Sequence, residues 1–192
     1  MNQLQLFMVL IGCTPPGRHI EQHDVFFGIA RNLAELLPAI HDFWPEANGR
    51  FHIDGWRTVT HANGYAITVQ EQPAEPGENA QLFFLNLGGY KPNEFEEFHY
   101  KMVVAAPDKG TAVQMAKKTA FYQHTGFSGA ESHIDDKYGV DVDDVYEITD
   151  ILPAAIKEKY RLVLHTAEEA LPNDPLHLGY FTPEKIKKLA GV

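Results

Sequence analysis

A short apolar string near the start of the chain recurs in its middle, and this recurrence restricts the possible folds more than any other feature. The string LFMVLIG begins at Leu6, and LFFLNLG begins at Leu82, 76 positions later. Further residues match in the same order at this offset: Gly12 with Gly88, Glu21 with Glu97, and His23 with His99. Because apolar, glycine and polar positions all recur in one order, the sequence indicates a tandem duplication.

A second block of matches has an offset of 81 and defines the remaining boundaries. It aligns His52-Ile53-Asp54 with His133-Ile134-Asp135. The stretch between the copies is rich in Pro, Gly and acidic residues, which is typical of a linker. The predicted organisation is repeat unit 1 at 4–70, a linker at 71–79, repeat unit 2 at 80–149, and a C-terminal extension at 150–192 that packs on the repeats.

Each copy is predicted to follow the order β-β-α-β-β. Bounded apolar runs favour strands, and Asn32 and Asp108 are suitable N-caps for the two helices, with Pro38 expected to kink or restart the first. A strand at Tyr160–Thr166 and a short helix capped by Thr182 follow. We therefore predict an α+β fold of two tandem repeats related by a pseudo-twofold, with antiparallel or mixed sheets and helices on one face.

The last two strands of each copy are predicted to form a hairpin. In the first copy, Phe51–Thr60 and Tyr65–Gln70 are joined through Asn63 and Gly64, residues that accept positive φ. In the second copy, the strands are Ser132–Val140 and Val145–Thr149, and the turn is expected at Asp143 and Asp144.

Composition and charge exclude several classes of protein. The chain has 192 residues, of which 44% are hydrophobic and 22% charged, values typical of a soluble globular protein. A net charge of −10 repels phosphate backbones, so we expect no nucleic-acid partner. Cys13 is the one cysteine, which excludes an internal disulfide and suits a reducing cytoplasm.

The string that ends at Cys13 resembles the cleavage site of a bacterial lipoprotein. However, its near-copy at 82–89 lies inside the chain, where no export signal can act, so we interpret both strings as buried strands. No stretch approaches the roughly 18 apolar residues of a membrane span. We therefore expect a cytoplasmic protein with no membrane partner.

Repeated polar residues are the main candidates for a functional site. Residues two apart on a strand share a face, so the Glu-x-His and His-x-Asp pairs of a copy meet if the second and third strands lie side by side. This combination suits zinc or another divalent ion, but it also suits acid–base catalysis or a structural hydrogen-bond network. The candidate metal ligands are Glu21, His23, His52, Asp54, Glu97, His99, His133 and Asp135.

Four other residues are candidates for ligand binding in the first copy. Arg18 and His19 lie in a Pro-rich loop where a guanidinium and free backbone N–H groups could hold an anion. Trp56 and Arg57 place an aromatic ring beside a cation, a combination suited to stacking.

The motifs GxxPxGRxxExHDVFFG and HIDGW, followed by GGYxxNEFEEFHY and SHIDDKYGVDVDD, resemble a bacterial family known as domain of unknown function 1543. The resemblance extends over residues 4–150 and implies a bacterial protein whose unit occurs once or twice per chain. It implies no reaction and no ligand.

The sequence thus predicts a duplicated small-ligand-binding or assembly module with a Glu/His/His/Asp cluster in each repeat. Two alternatives are a metal-dependent hydrolase that uses the same clusters and a purely structural protein that forms homo-oligomers. Neither a substrate nor an enzymatic reaction is defined by these residues.

Overall fold

The computed structural model describes residues 3–74, 77–90, 93–124, 141–169 and 171–191. The chain divides into two compact units, of which the first combines Met1–Pro76 with Leu152–Val192 and the second is Gly77–Ile151. Within the described residues the strands form three antiparallel sheets, and helices accompany them, so the predicted α+β class is confirmed. In the same residues, no helix is long and apolar enough to cross a membrane.

The larger sheet of the first unit is built around the N-terminal apolar string, which is a strand as predicted. The strands are β1 (Gln5–Cys13), β2 (Gln22–Ala30), β3 (His52–Thr58) and β10 (His177–Phe181). Their order in the sheet is β10-β3-β1-β2, and every neighbouring pair is antiparallel. β10 was not predicted, because its five residues, HLGYF, lack the alternation of a half-buried strand.

Short helices cover one face of this sheet. Asn32 accepts a hydrogen bond from the Glu35 backbone N–H (3.3 Å), and its amide donates back to the Glu35 carboxylate (3.0 Å), which confirms the predicted cap. A 3₁₀ turn at Leu33–Leu36 leads into α1 (Leu37–Phe43), where Pro38 restarts the helix as expected. Their apolar side chains pack on alternate residues of β1, together with Ile186 from α5 (Pro183–Ala190).

The second sheet of the first unit contains a smaller hairpin than predicted. Asn63 and Gly64 have positive φ, as expected, but they join β4 (His61–Ala62) to β5 (Tyr65–Glu71). The longer strand β3 belongs to the other sheet. The predicted strand at Tyr160–Thr166 is β9, which pairs with β5 along its whole length.

The second unit contains a three-stranded sheet of order β7-β6-β8. Its apolar face packs against α2 (Lys109–His124) through Ala112 and Ala116, and the Asp108 carboxylate caps this helix by accepting from the Thr111 N–H at 2.8 Å. The strands are β6 (Gln81–Tyr90), β7 (Glu97–Ala106) and β8 (Asp141–Glu147). The short helix α3 (Ile148–Ile151) ends the second unit, and α4 (Ala154–Lys159) follows in the first.

The predicted second hairpin is wrong where the structure describes it. Asp143 and Asp144 lie inside the continuous strand β8 and do not form a turn, and Ile148 begins a helix. The sequence favoured a turn because four of the seven residues 141–147 are acidic, whereas pairing with β6 keeps this segment extended. The strand expected at Ser132–Val140, with His133 and Asp135, lies outside the described residues.

The sheets of the two units have matching registers. Thr58 pairs with Phe7, and Glu147 pairs with Phe83, so β8 corresponds to β3 at an offset of 89 residues. The register shifts between Leu10 and Ile11 in one sheet and between Asn86 and Leu87 in the other, which is the same place after an offset of 76. Asp143, and not Asp135, thus occupies the register position of Asp54.

Candidate metal centre

Four predicted side chains of the first unit meet at one place, and we call them the first cluster: Glu21, His23, His52 and Asp54. His23 lies on β2, which begins directly after Glu21, whereas His52 and Asp54 lie on β3. These two strands are not side by side, because β1 runs between them. His23 and His52 are the register partners of Gly12 on its two sides. The cluster therefore spans roughly 10 Å of sheet, two strand spacings, across a glycine.

The contacts of the first cluster form a ring in which imidazoles and carboxylates alternate. His23 Nε2 lies 3.5 Å from Glu21 Oε2 and 3.2 Å from Asp54 Oδ2. His52 Nε2 lies 3.2 Å from Glu21 Oε1 and 3.1 Å from Asp54 Oδ1. Each carboxylate thus approaches one imidazole with each of its two oxygens.

Gly12 makes the ring possible because it has no side chain. A Cβ at this position would lie 2.5 Å from His52 Nε2 and 2.6 Å from Asp54 Oδ2, both well inside van der Waals contact. The side chains from β2 and β3 therefore meet directly above the Gly12 backbone. Any larger residue at this position has to displace at least two members of the cluster.

A β-bulge directs Asp54 into the cluster. Leu10 pairs with Gly55 and Ile11 pairs with Ile53, which leaves Asp54 as the extra residue on β3. A bulge rotates the side chain of its extra residue and bends the strand, and such bulges are frequent beside functional sites. The regular alternation of the strand is interrupted between Ile53 and Gly55. Asp54 lies at this interruption, and both it and His52 face the ring.

Burial and hydrogen bonding distinguish the members of the cluster. Only 7% of the His52 side chain is exposed, compared with 41% for His23 and 43% for Glu21. Among the described residues, His52 Nε2 and Asp54 Oδ2 have no hydrogen-bond partner, although each has a neighbour within 3.2 Å. The distances are short enough, so the direction of the groups is what prevents a hydrogen bond.

The second unit holds a similar group, the second cluster, which contains Glu97, His99 and Asp143. His99 Nε2 lies 3.3 Å from Asp143 Oδ2 and 3.9 Å from Glu97 Oε2. One ligand atom from each residue lies within 4.8 Å of the other two, so this cluster is the more convergent of the two. His133 and Asp135, which were predicted as its other members, lie outside the described residues.

Asp143 was missed by the sequence analysis, as were the aromatic residues of β10. Tyr180 stacks on the His52 ring with centroids 4.2 Å apart, and His177 stacks on Trp56 at 3.8 Å. An offset of 89 between the copies would have identified Asp143. No sequence signal indicated β10, because its pairing with β3 joins segments more than 100 residues apart.

The residues predicted to bind a ligand lie in two different settings. Arg18 and His19 are exposed in the loop between β1 and β2. Trp56 and Arg57 are half-buried on β3, where Trp56 packs against the apolar core and lies 6.1 Å from the Phe7 ring. Two surface depressions of about 490 and 460 Å³ lie elsewhere: one borders α5, the other β6, β8 and α2, and no cluster residue lines either.

Comparison with known proteins supports the family resemblance and the fold. Residues 18–69, which include the whole first cluster, match the family described as Domain of Unknown Function (DUF1543), so the resemblance to this family is confirmed over these residues. The crystal structure of a protein Il1583 from Idiomarina loihiensis is similar, with 24% identity and a TM-score of 0.63. The match covers 93% of this chain and 97% of that chain, which shows a shared fold. No curated protein matches the chain.

Proposed function

We propose that this chain is a duplicated divalent-cation-binding module whose main centre is the first cluster. The observation that carries the proposal is that His52 Nε2 and Asp54 Oδ2 are buried, close to other ligand atoms, and without a hydrogen-bond partner among the described residues. Leaving a buried polar atom unpaired costs about 1–3 kcal/mol, so native proteins usually satisfy such atoms. A cation held between the imidazoles and carboxylates satisfies both atoms at once.

The distances and residue types favour zinc or a similar first-row ion. A tetrahedral ion bound at about 2.1 Å holds neighbouring ligand atoms roughly 3.4 Å apart. The four contacts of the first cluster measure 3.1 to 3.5 Å, which is near this spacing, but they join six atoms because each carboxylate uses both of its oxygens. One oxygen of each carboxylate therefore has to turn toward the ion. Two imidazoles with two carboxylates also match the preference of zinc, cobalt and nickel for nitrogen ligands. Glu21 and His23 are about two-fifths exposed, so no core packing has to be disrupted when they move inward around the ion.

The matching registers of β1–β3 and β6–β8 support the duplication. Both sheets place a glycine opposite a histidine of the second strand, at Gly12 with His23 and at Gly88 with His99. If three of the four side chains bind a tetrahedral ion, its fourth position is open and can hold a small ligand or a partner. The predicted ligand-binding or assembly role follows from the same centre.

A metal-dependent hydrolase is the second candidate, and the uneven exposure of the first cluster favours it. His52 is enclosed, whereas Glu21 and His23 are about two-fifths exposed, so water reaches an ion from one side. An open coordination position lowers the pKa of bound water and generates a nucleophile. Hydrolysis of p-nitrophenyl esters or bis(p-nitrophenyl) phosphate by the zinc-loaded chain, lost in Glu21→Gln, tests this role.

Metal content and titration test the main proposal. We expect untagged protein to contain zinc or another first-row metal by elemental analysis, and the apo chain to bind Zn²⁺ in calorimetry. His52→Ala should weaken Zn²⁺ binding at least tenfold, because it removes an enclosed ligand. His41→Ala is the matched control, since His41 is an exposed histidine that contacts Asp42 at 3.3 Å outside the cluster.

A purely structural role predicts a different result. In that case neither the chain nor its variants bind Zn²⁺, and His52→Ala lowers the free energy of unfolding by about 1–3 kcal/mol through loss of local interactions. That outcome would refute the cation-binding function and would leave a structural, oligomer-forming protein, which size-exclusion chromatography would then examine.

A further inference from the structure

We propose that the second cluster is a separate cation centre that takes a harder ion than the first, of the Mn²⁺ or Mg²⁺ class, with Glu97, His99 and Asp143 as ligands. This inference rests on the proposed cation-binding function and extends it to two ions of different class. It also replaces Asp135, suggested by sequence alignment, with Asp143 as the carboxylate that corresponds to Asp54.

The backbone around Asp143 reproduces the arrangement that directs Asp54. Asn86 pairs with Asp144 and Leu87 pairs with Val142, so Asp143 is the extra residue of a bulge. A Cβ on Gly88 would collide with the Asp143 carboxylate, as a Cβ on Gly12 would collide with that of Asp54. Each glycine thus leaves space for a bulge carboxylate that reaches over the central strand. Asp143 Oδ2 lies 3.3 Å from His99 Nε2.

The ligand sets differ in their content of imidazole. The first cluster contains two imidazoles and two carboxylates, whereas the described members of the second are one imidazole and two carboxylates. The register position that His52 occupies opposite Gly12 is occupied opposite Gly88 by Asp141. Imidazole favours zinc, copper and nickel, while carboxylate and water favour magnesium, calcium and manganese. Among the described residues, the second cluster is therefore the harder site.

Exposure of the second cluster supports the same assignment. The side chains of Glu97, His99 and Asp143 are 41%, 37% and 32% exposed. Mg²⁺ and Mn²⁺ commonly retain several water ligands and bind through one or two carboxylates, which an accessible cluster allows. The first cluster differs in His52 and Asp54, whose side chains are only 7% and 25% exposed and leave less room for water ligands.

Titration of the full chain with Mn²⁺ and Zn²⁺, followed by calorimetry and by the electron paramagnetic resonance signal of free Mn²⁺, tests the assignment. We expect Asp143→Asn to weaken Mn²⁺ binding at least tenfold while Zn²⁺ binding at the first cluster is unchanged. Asp54→Asn should do the opposite. Asp135→Asn is the matched control and should leave both affinities unchanged.

The outcomes separate this inference from the proposed function. If Mn²⁺ binds with equal affinity to Asp143→Asn and wild type, or if Asp135→Asn abolishes its binding, the second centre is wrong while the first stands. If Zn²⁺ fails to bind the wild-type chain, the proposed function itself is wrong. If circular dichroism shows that Asp143→Asn is unfolded, His99→Gln provides the same comparison, because His99 is an exposed member of the same cluster.

Discussion

Gly12 is the residue on which the geometry of the first cluster depends most directly. Gly12→Ala removes no ligand, but its methyl group would lie 2.5 Å from His52 Nε2 and 2.6 Å from Asp54 Oδ2. We expect the variant to fold, because Ala is accommodated in a strand, and to bind Zn²⁺ at least tenfold more weakly because two ligands are displaced. Calorimetric titration of the folded variant measures this effect.

Gly28→Ala is the control for that substitution. It also adds a methyl group to a strand of the same sheet, but the new Cβ meets Leu36 Cδ2 at 2.7 Å in the apolar core. This variant should lose stability and keep its affinity for Zn²⁺. Equal affinities of Gly12→Ala and wild type would show that the space above Gly12 is not needed for binding.

Cys13 ends β1 directly beside Gly12, and its side chain is buried. Burial raises the pKa of the Cys13 thiol. The Arg50 charge lowers this pKa and the Glu21 charge raises it, both by smaller amounts, so the pKa remains raised and the reactive thiolate is scarce at neutral pH. We expect the native chain to react with Ellman's reagent at least tenfold more slowly than the chain unfolded in guanidinium. Rapid reaction of the native protein would show that the end of β1 is accessible.

At the scale of elements, local chemistry was predicted well and strand pairing was not. Local features could be predicted because each depends on residues within a few positions of the chain. They are the N-caps at Asn32, Asp108 and Thr182 and the positive φ of Asn63. The bulge at Asp54 depends on register with β1, about 40 residues earlier, and it has no local signature. For the same reason, the sequence did not indicate that Asp143 is the extra residue of a bulge in β8.

The candidate site was also predicted where it depends on local spacing and missed where it depends on strand pairing. Period-two spacing correctly brought together Glu21, His23, His52 and Asp54, but it assumed adjacent strands, whereas β1 lies between them. Gly12 in β1 permits the contact. A glycine within a strand can also mark a bulge or a bend, so the sequence did not assign it this role. The contribution of β10 was unpredictable because it comes from the opposite end of the chain.

The strand β10 contributes Tyr180, which we expect to position His52. Their rings stack with centroids 4.2 Å apart and an interplanar angle of 27°, although Tyr180 is 62% exposed. Tyr180→Ala should weaken Zn²⁺ binding several-fold by releasing the imidazole, and Tyr180→Phe should restore it because the stacked ring is kept. The visible spectrum of the Co²⁺-loaded variant reports the change in ligand geometry.

Leu176→Ala is a suitable control for this strand. Leu176 immediately precedes β10 and is 66% exposed, so its truncation changes the same segment without touching His52. Its Co²⁺ spectrum should match that of the wild type. Identical spectra and affinities for Tyr180→Ala and wild type would exclude a positioning role for the ring.

At the scale of the whole molecule, ion binding should appear as thermal stability. A ligand that binds only the folded state stabilises it by about 2.7 kcal/mol at a concentration of 100 times its Kd. For a chain of this size that corresponds to an increase in Tm of roughly 5–10 °C. Differential scanning calorimetry with and without Zn²⁺ measures the shift. His52→Ala should remove it, and an unchanged Tm in the wild type would contradict binding.

The first unit is made from two separate stretches of chain, and this connectivity determines which unit can fold first during synthesis. All residues of the second unit have been added once translation passes Ile151. The first unit at that time still lacks β9, β10 and the core residue Ile186. On the ribosome, therefore, the second unit is the first whose internal contacts can all form. In the first unit, β5 lacks one partner strand until β9 emerges, and β3 lacks one until β10 emerges.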